Sequence, residues 1–118
     1  MTIYGDKEQI LAEEEATDET VIVYTVPTGY KLYLCHAILE TDAGATGIGR
    51  LKVRDENDVE KYTLGWMDVR ENNKGVIPGR HFCPCWPVTM TAGQNIAVTS
   101  DAASLAAQND IFGFEVNA

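Results

Sequence analysis

The residues best suited to chemistry lie in one short run, His81-Phe82-Cys83-Pro84-Cys85, with Cys35 and His36 side by side elsewhere in the chain. Imidazole and thiolate are zinc ligands, and they would have to converge at about 2.0–2.3 Å from one ion. On an extended strand, residues i and i+2 share a face but stand roughly 6–7 Å apart, and i and i+4 roughly 13 Å. His81, Cys83 and Cys85 therefore reach a common ion only if Pro84 bends the chain sharply. There is no CxxC knuckle and no second cysteine pair, so no metal site is expected. Three cysteines are an odd number and a poor disulfide framework. A bridge from Cys35 to Cys83 or Cys85 requires neighbouring strands, and the default is buried thiols beside a sheet-facing histidine.

Other catalytic arrangements fail on residue count or spacing. A cupin-type metal enzyme needs a Gly, a His-x-His pair and a Glu, whereas the chain has two histidines and His36 stands alone. Pro78-Gly79-Arg80-His81 echoes that family's second motif without its trailing Asn. The two serines, Ser100 and Ser104, sit in no GxSxG elbow. Gly47-Ile48-Gly49 opens onto a strand rather than a helix, so it is no phosphate loop. Glu13, Glu14 and Glu15 read as a solvated face rather than a paired acid and base. The expectation is a non-enzyme without cofactor. Trp66, Trp86, Tyr30, Tyr33 and Tyr62 would suit sugar stacking if exposed, although aromatics in a domain of this size more often serve core or interface.

The bulk properties bound the partners. With 118 residues the chain fits one domain that buries enough surface to need no staple. Eighteen acidic residues against nine basic ones give a net charge of −9. Such a surface repels phosphate backbones and anionic lipid, so neither nucleic acid nor membrane is an expected partner. No stretch approaches the ~20 apolar residues of a bilayer span. Met1 to Glu15 is polar and acidic without a basic segment and apolar run, and so reads as no secretory signal, with synthesis in a cytoplasm.

The elements that must position these residues are strands. Asp6 to Ala16 is the most helix-prone segment, rich in Glu, Ala, Leu and Gln, but only Ile10 and Leu11 could anchor it. Residues 1–18 are read as an N-terminal arm, helix or edge strand according to what it packs against, and 19–118 as one domain. Thr20 to Val26 is dense in β-branched residues and ends at Pro27-Thr28-Gly29. Lys31 to Thr41 has two mostly apolar alternating sets, which predicts a strand covered on both faces or central in its sheet. In Arg50 to Arg54, Leu51 and Val53 alternate inward against Arg50, Lys52 and Arg54. Asp55 to Asp58 is a turn, and Val59 to Met67 a strand with Gly65 a candidate bulge. Asp68 to Arg80 reads as a long polar connection, His81 to Trp86 as briefly extended, and Pro87 to Gly93 as a connection. Asn95 to Thr99 and Ile111 to Val116 are strands, with Ser100 to Asn109 a loop between them. This predicts an all-β fold, an antiparallel jelly-roll-like sandwich of 7–8 short strands with an N-terminal arm.

Tyr24-Thr25-Val26-Pro27-Thr28-Gly29-Tyr30-Lys31-Leu32-Tyr33-Leu34 resembles the strand, Pro-x-Gly, strand opening of many viral and phage structural jelly rolls. Pro87-Val88-Thr89-Met90-Thr91-Ala92-Gly93-Gln94-Asn95-Ile96-Ala97-Val98 is similar to their later turn and strand, and Gly113-Phe114-Glu115-Val116 to their closing one. In these features the chain resembles the head decoration (cement) proteins of tailed phages, with tail or fibre-tip sandwich modules next. The resemblance implies a homo-oligomer, often a trimer, made in the host cytoplasm and seated on the virion against the major capsid protein or another virion protein. It further implies that the arm and the loop 68–80 meet partners, through Ile10, Leu11, Asn72, Asn73 and Lys74, with Trp66 and Trp86 as further contacts. The alternative is a carbohydrate- or receptor-binding sandwich module of a tail or fibre, which requires exposed aromatics around Trp66 or Trp86.

Overall fold

The computed structural model describes residues 8–17, 19–41, 47–69, 79–82, 88–101 and 106–118, with backbone alone for 8–11, 41, 66–69, 79–82 and 106. Nine strand segments follow one another: β1 (Glu8–Thr17), β2 (Thr20–Thr25), β3 (Tyr30–Thr41), β4 (Gly47–Arg54), β5 (Glu60–Val69), β6 (Gly79–Phe82), β7 (Val88–Thr91), β8 (Asn95–Ser100) and β9 (Ala106–Asn117). One sheet has the order β1-β9-β3-β6 with β7 also on β3, and the other β2-β8-β4-β5. Every pairing is antiparallel.

β7 pairs with Lys31–Leu34 and β6 with Ala37–Glu40, so the two lie in tandem along one edge of β3 and fill a single strand position. Counted so, the fold has eight positions, and the chain crosses between sheets at every connection except β4 to β5. That is the jelly-roll arrangement, the antiparallel sandwich expected from the short β-rich segments and their turns.

The inner faces supply the core. Leu32, Leu34, Ala37 and Leu39 of β3, Ile111 of β9 and Met90 of β7 pack toward Leu51 and Val53 of β4 and Ile96 and Val98 of β8. All are essentially inaccessible to solvent, and each large aliphatic among them contributes about 1.5–3 kcal/mol by leaving water.

Two elements depart from simple sequence periodicity. Residues Glu8–Thr17, despite their helix-forming composition, pair with β9 from Glu8↔Glu115 to Thr17↔Ala106. A ladder along the whole segment, with Ala16 buried and Ala12 against the core, outweighs a weak intrinsic preference. In β3 the register with β9 steps from Leu34↔Gly113 to His36↔Phe112, leaving Cys35 as a bulge. The buried set is even-numbered before the bulge, Leu32 and Leu34, and odd-numbered after it, Ala37 and Leu39. Both alternating sets of this strand are apolar because each faces the core over half its length.

Several boundaries move from the sequence reading. Val88–Thr91 is a strand rather than a connection, Asp68 and Val69 prolong β5, and β9 begins at Ala106. β5 carries its register shifts beside Leu64 and Lys61, while Gly65 itself pairs with Leu51. β3 and β9 are long, at 12 residues each.

Candidate interaction surfaces

Of the residues singled out in the sequence, Ile10 and Leu11 lie in β1 opposite Gly113 and Phe112, and Trp66 lies in β5 opposite Arg50. His81 lies in β6 opposite Ile38. Asn72, Asn73, Lys74, Cys83, Cys85 and Trp86 fall outside the described residues, as does most of the loop 68–80. Cys35 is a half-buried free thiol whose Sγ donates to the Tyr33 carbonyl at 3.5 Å. Among the described residues no three His, Cys, Asp or Glu side chains are placed to hold a metal ion.

The outer face of the β1-β9-β3 sheet is organised in cross-strand rows. One row aligns Glu13, Asp110 and Ile38, and the next Glu15, Gln108 and Glu40. Glu14 and Asn109 complete the walls of an open groove of about 360 Å³ along these rows. Gln108 Nε2 donates to Glu15 Oε2 at 2.8 Å. Glu13 and Asp110 are carboxylates directly opposite one another, an arrangement that disfavours ionisation of Glu13. A hydrogen bond with Asp110, then its charge, raise the Glu13 carboxyl above its ordinary value of 4.5. Further along the same face the side chains become aromatic. His36 stacks on Phe112 with ring centres 5.3 Å apart, and Phe114 is 41% exposed.

The outer face of the other sheet has the opposite sign at its centre. Arg50, Lys52 and Arg54 alternate along β4 and stand opposite Thr99, Ala97 and Asn95 of β8. Their partners on β8 are small side chains, and β8, between β2 and β4, is buried on both faces. Arg54 is held in place: its Nε donates to Asn95 Oδ1 at 2.8 Å, and its Nη2 lies 3.5 Å from Asp58 Oδ1. Asn95 Nδ2 donates to the same Asp58 oxygen at 2.8 Å. Arg50 and Lys52 form no ion pair among the described residues. Ile22 on β2, 45% exposed, lies in the row of Ala97 and Lys52.

The sequence showed the basic alternation of β4 but not the acidic face. Glu13 and Glu15 belong to one end of the chain and Gln108 and Asp110 to the other, and only the β1–β9 register joins them.

The described residues thus form an antiparallel jelly roll with an acidic groove on one outer face and a basic row on the other. No protein-family model matches the chain, and no curated protein matches it. Among solved structures it is similar to a chain from the acid-stable capsid of Helicobacter pylori bacteriophage KHP30, with a TM-score of 0.57, 17% identity, and coverage of 95% of this chain and 99% of that one. It is also similar to the Drosophila NLP core, a pentamer-forming histone-binding protein, with a TM-score of 0.49, 13% identity and coverage of 93% and 100%. A protein of the disulfide-linked pili of Bacillus endospore appendages gives a TM-score of 0.48, 10% identity and coverage of 94% and 86%. At these identities the likeness is one of fold.

Proposed function

We propose that this chain is a non-enzymatic structural protein of a virion, decorating and stabilising a capsid through protein–protein contacts. The observation that carries the reading is the end-to-end likeness to a phage capsid chain, 95% of this chain against 99% of that one at a TM-score of 0.57. The acidic, sheet-built surface supports it, because such a module binds by shape and charge rather than by reaction. The proposal includes assembly as a homo-oligomer, a trimer by the resemblance of its strand-joining motifs. The partner is the major capsid protein or another virion protein. The 1–18 arm with Ile10 and Leu11, the loop residues Asn72, Asn73 and Lys74, and Trp66 and Trp86 are the proposed contacts, with residues 19–118 as the body that carries them.

The test is to locate the chain. Mass spectrometry and antibody-labelled electron microscopy of purified particles should place it on the capsid shell, and purified chain should bind particles lacking it and raise their resistance to heat. Absence from particles, or binding without any gain in resistance, overturns the reading. Glycan binding that is lost in W66A or W86A with the fold intact would assign the chain to carbohydrate recognition instead.

A further inference from the structure

The two outer faces of the sandwich are complementary. We propose that the groove on the β1-β9-β3 face of one copy receives Arg50 and Lys52 of a second copy, joining the sandwiches head to tail.

Charge is the first argument. In a chain with twice as many acidic as basic residues, three of the nine cations stand on the outer side of β4, whereas Glu13, Glu15, Glu40 and Asp110 line the opposite sheet. Arg54 is engaged by Asp58 and Asn95, which leaves Arg50 and Lys52 as the cations available to a neighbour. A guanidinium binds carboxylates through paired, planar hydrogen bonds, and a lysine ammonium is a compact point charge for another.

Spacing is the second argument. Arg50 and Lys52 stand two positions apart on a strand with one residue between them, as do Glu13 and Glu15, so both pairs repeat at roughly 6–7 Å. The groove, about 360 Å³, has room for two long side chains. Its floor includes Ile38, and exposed Ile22 stands in the row of Lys52, so each face offers an apolar contact beside its charges.

Relief of repulsion is the third. Glu13 faces Asp110 and forms no ion pair among the described residues, and a cation from a neighbour turns that repulsion into two attractions.

The faces lie on opposite sides of the molecule, so the contact is heterologous and builds a ring or an open stack rather than a two-fold dimer. The contact does not depend on a virion setting. A chain that is absent from particles yet assembles in this way would overturn the proposed function and leave this inference standing.

Sedimentation velocity of the full chain, across a concentration series at low and high salt, tests it. The expected result is a mass that rises with concentration at low salt and falls when salt screens the faces. R50E/K52E makes both faces acidic, and E13K/E40K sets two lysines against Glu15 and Asp110 and so cancels the pull of the groove, so each variant should sediment as a monomer. An equimolar mixture of the two should regain assemblies, since acidic faces then meet basic ones. Circular dichroism verifies folding, and R50Q/K52Q with E13Q/E40Q reads the same loss should a reversal fail to fold. A wild-type monomer throughout at low salt, association unchanged by either substitution pair, or a mixture that stays monomeric overturns the proposal.

Discussion

Gly113 on β9 and Tyr33 on β3 approach so closely that a Cβ on the glycine would stand 2.5 Å from the tyrosine carbonyl oxygen. It would also stand 3.2 Å from the Leu34 Cα. The nearest atom is backbone, which cannot swing aside as a side chain can, and Leu32 Cδ1 at 3.1 Å closes the space further. Gly113→Ala should therefore lower stability by about 1–3 kcal/mol, measured by urea denaturation. Gly29 makes a contrast: its φ of 87° needs left-handed backbone, but nothing lies within 4 Å of an added Cβ. Asn, which tolerates that conformation, should be accepted at 29 and rejected at 113.

Tyr24 and Glu115 meet inside the sandwich. The Tyr24 hydroxyl donates to Glu115 Oε1, and Glu115 is only 4% exposed. Tyr24→Phe keeps the ring and removes this donor from a buried carboxyl group, so it should cost about 1–3 kcal/mol in chemical denaturation. A cost near zero would mean that Glu115 is satisfied by other means.

Glu13 faces Asp110, and its raised pKa has a definite consequence for stability. The folded chain holds this proton more tightly than the unfolded chain, so acidification favours folding at this site. The penalty of two like charges is present in full above the raised pKa. It fades as pH falls through that value toward the ordinary 4.5, below which the group is protonated in both states. Glu13→Gln should raise the thermal midpoint at neutral pH, and the gain should shrink on acidification and in high salt. Thermal unfolding as a function of pH checks this. Equal gains at all pH values would sink the explanation.

Asn95, 2% exposed, ties the β4–β5 turn to β8 by accepting from Arg54 and donating to Asp58. Asn95→Ala should cost about 1–3 kcal/mol and loosen the turn, read as faster amide exchange at Asn57 and Val59. Those two amides donate to Asp55 Oδ1 at 2.8 and 3.0 Å.

The sequence was most informative where structure is local. Pro27-Thr28-Gly29 is a turn closed by Tyr30 N donating to the Pro27 carbonyl at 3.2 Å, with the glycine at positive φ as its sequence demanded. Leu51 and Val53 are buried between Arg50, Lys52 and Arg54, as their alternation required. It was least informative where partners are distant. Glu8–Thr17 looked as much like a helix as a strand until β9, about a hundred residues away, was placed beside it. The groove followed the same logic, since no window of sequence contains both Glu13 and Asp110. The tandem β6 and β7 were obscured because each is four residues long, too short for periodicity to register.

The bulge at Cys35 makes β3 a sentence with a frameshift in the middle. The thiol at that position makes one weak contact, so many side chains should serve there equally well. The residue is also the one that the pairing with β9 could lose. Without it Leu34↔Gly113 would run straight into His36↔Phe112, with Leu32, Leu34, Ala37 and Leu39 still facing the core; straightening the bulge with Cys35 kept is what would carry His36, Ile38 and Glu40 inward and expel Ala37 and Leu39. Position 35 is thus a spare count in the strand, and a deletion scan would find a tolerance there that a substitution scan would miss.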